Sequence, residues 1–320
     1  MESTRPDLSH PPLPELPPPP PAGTDQFFFP GFTVHSVPTA GAIIHALRGG
    51  SGPPLLLLHG HPQTHVAWHQ LAGELARHYT VLLPDLRGYG DSGKPDGGPG
   101  HVNYSFRSMA QDQVELMRHF GFESFYVAGH DRGGRVAHRL CLDYPAAVRK
   151  VCVLDIAPTL TMYRDTSQEF ATQYVWWFLQ IQPAPMPEHL ISLDPAYYLR
   201  HHLSVQNRSV AGGITPEALR EYLRCYCCQH TIHAICEDYR AAATIDLDHD
   251  RADEAAGRRV TAPLLALWGA QGTVGRLWNV PDTWQAVATT VSGQALDCGH
   301  FLPEEQPAAV LAQFLVFFRP

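Results

Sequence analysis

A short β-prone run, Phe125-Tyr126-Val127-Ala128, gives way to Gly129-His130-Asp131-Arg132-Gly133-Gly134, and a helix-like stretch follows. Small residues on both sides of a reactive one mark a sharp, strained strand-to-helix turn. A chain with that turn has a strand feeding directly into a helix, which points to a layered α/β architecture. Asp131 stands at the tip of the turn. A serine there attacks carbonyl carbon, and on a saturated carbon it would leave an ether that water does not easily remove. A carboxylate leaves an ester, which an activated water hydrolyses. An aspartate tip therefore points to substitution at sp³ carbon, meaning carbon–halogen or epoxide C–O cleavage.

The rest of the chain fits the same architecture. Strand signals lie at Phe32–Val37, Ala42–Leu47, Leu55–Leu58, Thr80–Pro84 and Val151–Leu154, with helical spacing of Met109, Val114, Met117 and Phe120 between Ser105 and Phe120. Short apolar strands alternating with helices predict an α/β fold with a mostly parallel sheet covered on both faces. From Thr159 to about Asp248 the pattern turns helical and aromatic, with a breaker at Pro183-Ala184-Pro185-Met186-Pro187. Strand signals return at Leu264–Leu267 and near Ala295-Leu296, and Ala308–Phe318 reads as a closing helix. The expected organisation is a disordered proline-rich tail over residues 1–25, a core over 26–158 and 250–320, and a helical cap over 159–249, inserted after the sixth strand. Such a cap would sit over the C-terminal strand ends, where open α/β sheets bind ligands.

Bulk properties exclude several classes. A net charge of −8 gives no reason to expect nucleic acid or an anionic membrane as a partner. No run is long and apolar enough to span a bilayer and no signal peptide is evident. Seven cysteines without a regular framework suggest reduced thiols and a cytoplasmic setting. Cys225, Cys227, Cys228, His230, His233 and Cys236 are close in sequence but lack paired-knuckle spacing, so soft residues on a cap helix are expected there rather than zinc. No metal and no cofactor are expected.

Three residues fit a triad in chain order: Asp131 as nucleophile, Asp155 after Val151-Cys152-Val153-Leu154, and His300 in Asp297-Cys298-Gly299-His300-Phe301. The turn after the next-to-last strand, Trp268-Gly269-Ala270-Gln271-Gly272-Thr273, is another place for the acid but holds no carboxylate, and Asp282 lies further on. With 19 histidines in the chain, a lone histidine says little, and His300 stands out by its place in a Gly-His-Phe turn. It would take a proton from the water that attacks the Asp131 ester. Backbone N–H groups of His61, in His59-Gly60-His61-Pro62, and of Arg132 would form the oxyanion hole. Arg132 and Arg135 lie one helical turn apart beside the nucleophile. Two guanidinium groups there suit a substrate carboxylate; the competing reading is that they pair with cap carboxylates.

These motifs resemble those of the haloacetate dehalogenases of the α/β-hydrolase superfamily. The resemblance runs from Pro30 to Phe318 through Leu58-His59-Gly60-His61-Pro62-Gln63-Thr64, Gly129–Val136, Leu154-Asp155-Ile156-Ala157-Pro158-Thr159, Gln182–Glu188, Cys236-Glu237-Asp238-Tyr239-Arg240-Ala241 and Gly299–Glu305. It implies hydrolysis of a short 2-haloacid, haloacetate to glycolate and halide. Asp131 would displace halide, His300 and Asp155 would activate water, and Arg132 and Arg135 would hold the carboxylate. It also implies a homodimer. In the family a cap histidine, an adjacent tryptophan and a tyrosine hold the halide. Tyr239 matches the tyrosine; a gapless register puts Trp177 on the tryptophan and Trp176 on the histidine, while a one-residue gap puts Trp176 and Val175 there. Neither register leaves a histidine, so chloroacetate or bromoacetate is expected to turn over faster than fluoroacetate. His61 stands where phenylalanine is usual. Epoxide hydrolase is the alternative, with Tyr239 and Tyr174 as acids, although that group usually carries tryptophan at the position of Arg132. A non-catalytic binding relative is a third possibility.

Overall fold

The structure is a computed structural model that describes residues 24–207 and 213–319. Eight strands form one sheet: β1 Thr33–Pro38, β2 Ile43–Gly49, β3 Pro54–Leu58, β4 Thr80–Pro84, β5 Phe125–His130, β6 Val148–Leu154, β7 Leu264–Gly269 and β8 Val291–Leu296. Their order is β1-β2-β4-β3-β5-β6-β7-β8. The β1–β2 and β2–β4 pairs are antiparallel; all pairs from β4 through β8 are parallel. Every residue of β3, β4 and β5 is buried, as expected of central strands with both faces covered.

Strand ends differ from the sequence pattern where burial is one-sided. β6 starts at Val148, earlier than the apolar run: Val148 pairs with Phe125, exposed Arg149 is left out of register at an irregularity, and pairing resumes at Lys150, whose ammonium donates to Phe317 O at 3.0 Å. β8 reaches back to Val291 through Ser292, Gly293 and Gln294. It is an edge strand, and its polar face hides it from a search for apolar runs.

The helix Phe106–His119 is capped by Ser105, whose side chain accepts from Ser108 N, and it buries Met109, Val114 and Met117. It packs against the helix Arg132–Asp143, which leaves β5 directly. Between β6 and β7 the described residues form eight helices and no strand of the sheet. The last, Ile245–Ala255, runs across the expected boundary at 249. The proline-rich segment up to residue 23 lies outside the described residues, while its last expected member, Asp25, is in the helix Thr24–Phe28. Asp25 Oδ1 is 3.1 Å from His65 Nε2, which ties that helix to the core. Among the described residues no helix is long and apolar enough to cross a membrane.

Candidate active site

Asp131 follows β5 with φ 46° and ψ −115°, a conformation a non-glycine residue rarely adopts and one that costs about 1–3 kcal/mol. The neighbouring glycines make the turn possible. A Cβ on Gly133 would lie 2.4 Å from the carbonyl oxygens of Leu58 and His59, and one on Gly60 would lie 2.5 Å from the Asp131 Cβ. The β3 loop thereby comes close enough for His61 N to donate to Asp131 Oδ1 at 2.9 Å. Arg132 opens the next helix, so its amide is one of the first-turn N–H groups with no carbonyl partner within the helix.

Asp155, after β6, and His300, after β8, meet Asp131 from the C-terminal ends of their strands. Asp155 Oδ1 accepts from Gly269 N at 2.9 Å and Oδ2 pairs with His300 Nδ1 at 2.6 Å. Asp282, the alternative acid, instead accepts from Asn279. His300 Nε2 is 3.8 Å from Asp131 Oδ2, beyond a hydrogen bond. The turn carrying His300 is held by Glu305, whose two carboxylate oxygens accept from Gly299 N and Phe301 N, each at 2.8 Å. Burial disfavours the imidazolium, but the Asp155 hydrogen bond and the charges of Asp155 and Asp131 outweigh it and raise the His300 pKa. For Asp131, burial pushes the carboxyl up, yet His300 and Arg135 overcome this and hold it below the usual range. Asp131 is therefore an anion at neutral pH.

The two arginines are not equivalent: Arg132 has a carboxylate partner between β6 and β7, as the competing reading expected, and Arg135 does not. Arg132 is fully buried and committed to Asp238: Nε donates to Oδ2 at 2.8 Å, and Nη2 donates to Oδ1 and to the backbone oxygen. Its guanidinium lies 4.3 Å from the Tyr239 ring centroid, and Nη1 is left buried without a partner. Arg135 is different. It donates to Thr159 Oγ1 at 3.0 Å, Ala157 O at 3.2 Å and Met162 Sδ at 3.2 Å, all uncharged acceptors, while its Nε has no partner. Among the carboxylates, Asp131 acts on it most strongly.

Aromatic residues close the site. Trp177 is buried under Arg135, with the guanidinium 4.7 Å from its ring, and its Nε1 has no partner. Its ring is 6.3 Å from Tyr239. Trp176 lies beside Tyr174 at 4.9 Å and His202 at 4.2 Å, while Val175 is exposed. Burial raises the phenol pKa of both Tyr239 and Tyr174, helped by the charge of Asp131 at Tyr239 and of Asp155 and Asp131 at Tyr174, so both stay protonated.

Three site residues escaped the sequence reading. Asp238 adjoins Tyr239 in a motif already singled out, and Glu305 ends the Gly-His-Phe motif, so both had a signal. His202 had none: it is one of many histidines, on the helix Pro195–Gln206. The cysteine-rich stretch does not converge; Cys227 and Cys228 are exposed, whereas Cys225 and Cys236 are buried. Among the described residues, donor atoms close enough to share an ion belong to Asp25, His45 and His65, and to His45, Asp85 and Asp91. Neither group includes a residue of the triad.

The comparisons with known proteins agree with this geometry. The alpha/beta hydrolase fold family matches residues 53–307. The chain is 43% identical over 290 residues to the fluoroacetate dehalogenase of Burkholderia sp, covering 90% of this chain and 95% of that one. It is 34% identical over 291 residues to the soluble epoxide hydrolase of Corynebacterium sp. (strain C12), covering 90% and 98%. A provisionally assigned alpha/beta hydrolase from Nostoc sp PCC 7120 superposes with a TM-score of 0.88 at 53% identity, covering 91% and 98%. An aspartate at the strand-to-helix turn of a mostly parallel sheet, with an acid and a histidine following β6 and β8, thus accompanies likeness along nearly the whole length, and the chain is a member of the α/β-hydrolase family related to the haloacetate dehalogenases.

Proposed function

We propose that the protein hydrolyses the carbon–halogen bond of a short 2-haloacid such as a haloacetate. The observation that carries this is the pairing of an aspartate nucleophile with Arg135, a buried cation whose hydrogen-bond acceptors are all uncharged. A substrate carboxylate would give Arg135 a directly hydrogen-bonded anion and would set the adjacent carbon beside Asp131.

The two oxygens of Asp131 take different parts. Oδ1 is held by His61 N–H, leaving Oδ2 to attack. A bond forms between Oδ2 and the halogen-bearing carbon, and the carbon–halogen pair of electrons departs with the halide. Oδ1 is now the carbonyl oxygen of an ester. Alkylation also removes the Asp131 charge, one of the causes that raise the His300 pKa, which favours the neutral imidazole when a base is needed. It takes a proton from water as the water oxygen adds to Asp131 Cγ, and Asp155 stabilises the imidazolium. The developing charge on Oδ1 falls to the amides of His61 and Arg132. Collapse releases glycolate, which takes its proton from His300, and the second proton of the water leaves the Asp131 carboxyl for solvent, which restores the carboxylate. On this reading the helices over residues 159–249 act as a cap that keeps bulk water out.

Epoxide hydrolysis is a second reading. Tyr174 and Tyr239, both protonated and both influenced by Asp131, suit an epoxide oxygen, and an epoxide hydrolase is among the relatives. A neutral epoxide, however, has no use for the Arg135 cation.

Replacing His300 by asparagine tests the proposal. Displacement should still occur and hydrolysis should stall. Intact-protein mass spectrometry after chloroacetate should show a persistent adduct on the peptide that contains Asp131. An epoxide panel assayed alongside should give little or no diol. Turnover by an Asp131→Ala variant, an adduct at another residue, or faster turnover of epoxides than of haloacetates would defeat the proposal.

A further inference from the structure

The histidine that no alignment register supplied is brought into the site by tertiary structure. His202 packs against Trp176 at 4.2 Å and meets the His61 ring edge-on at 4.8 Å and 88°. His61 and His202 are 1% and 3% exposed. Both ring nitrogens of His61 and Nδ1 of His202 are buried with no hydrogen bond of good geometry, the Gln206 side chain being the polar group next to His202. Buried polar atoms in folded proteins are nearly always paired, so three unpaired ones side by side call for a ligand that pairs them.

The pair lies beside the nucleophile. The backbone of His61 holds Asp131 Oδ1, its ring packs 5.3 Å from Tyr239, and the Asp131 charge is felt at both imidazoles. Burial keeps both rings neutral, His61 down to about 3 and His202 well below the ordinary value. A neutral imidazole carries one N–H donor and one acceptor. Such donors take up developing negative charge without forming a competing ion pair with Asp131.

We infer that His61 and His202 form the leaving-group subsite of this pocket, with an N–H of the pair donating to the departing halide. The inference rests on the dehalogenase function proposed above. Negative charge moves from Asp131 Oδ2 to the halogen as the bond breaks, and fixed donors at its destination lower the barrier. Fluoride, small and strongly hydrated, depends on them most. The expectation of poor defluorination rested on Trp176 or Val175 standing where the family has its cap histidine. With His202 in place, fluoroacetate becomes a competent substrate.

The test compares kcat/KM for fluoroacetate and bromoacetate, by halide release, in the natural protein and in His202→Phe and His202→Gln variants. Phenylalanine fills the space without a donor and should lower the fluoroacetate-to-bromoacetate ratio at least tenfold. Glutamine keeps an N–H and should largely preserve the ratio. Equal loss on both substrates with phenylalanine, or an unchanged ratio, would overturn the inference and leave His202 a packing residue. Halide titration gives a separate readout, because a halide at His202 would quench the adjoining Trp176. Bromide should quench the fluorescence of the natural protein saturably and that of His202→Phe far more weakly; identical titrations would also overturn the inference. If the folded natural protein turned over no haloacetate, the proposed function would fall, while the titration would still decide the subsite.

Discussion

Replacing Arg135 by leucine isolates the group that would choose the substrate. Arg132 already spends its charge on Asp238, so the carboxylate of a bound haloacid would have Arg135 as its uncompensated cation. A hydrogen bond to a charged group contributes about 1.5–3 kcal/mol. With tenfold for each ~1.4 kcal/mol, its loss costs roughly one to two decades in kcat/KM. A second effect runs in parallel: Arg135 helps to hold the Asp131 carboxyl low, so its removal also changes the nucleophile. That change acts on every substrate alike and cancels in a ratio. The assay is therefore kcat/KM for chloroacetate against chloroacetamide, which share the reacting carbon and the leaving group and differ in charge. The natural protein should prefer the acid by at least the one to two decades worked out above. Arg135→Leu should bring the two close to parity, with folding checked by circular dichroism. Equal rates on acid and amide in the natural protein, or an undiminished preference in the variant, would refute carboxylate recognition by Arg135.

Two further outcomes concern stability. Asp238→Asn leaves the buried Arg132 cation with no carboxylate on it, and breaking a buried pair from one side costs about 3–5 kcal/mol; urea denaturation should show that loss, and an unchanged midpoint would contradict the pairing. Glu304 is pushed up to about 8 by burial, and it accepts from Tyr222 and Gln63. The unfolded chain releases that proton near pH ~4.3 while the folded protein keeps it, so stability falls as pH rises from there towards 8. Glu304→Gln should lose this contribution, and its advantage over the natural protein should grow across that window and level off above it; parallel pH–stability curves would argue against a buried protonated Glu304.

Much of the molecule was legible in the chain because its signals are local. The elbow needs small residues next to Asp131, and Gly133 and Gly60 show why: strand, helix and loop approach too closely for a Cβ. Central strands β3, β4 and β5 are buried on both faces and read as unbroken apolar runs. Asp155 and His300 were readable from their places after strands, where a parallel sheet gathers side chains. Polar β8 was nearly invisible because this edge strand leaves Ser292 to Ala295 exposed and buries only Leu296.

What tertiary structure alone decided is pairing across long separations. Arg132 and Asp238 are 106 residues apart, and nothing local indicates that one cancels the other while Arg135 stays uncancelled. His202 reads as one histidine among many until its helix sets it against Trp176 and His61. Residue types and turn spacing state what chemistry is possible, because the covalent properties of a side chain travel with it. Charge balance and the direction of a hydrogen-bond donor depend on which distant groups share a buried volume, and folding alone settles that.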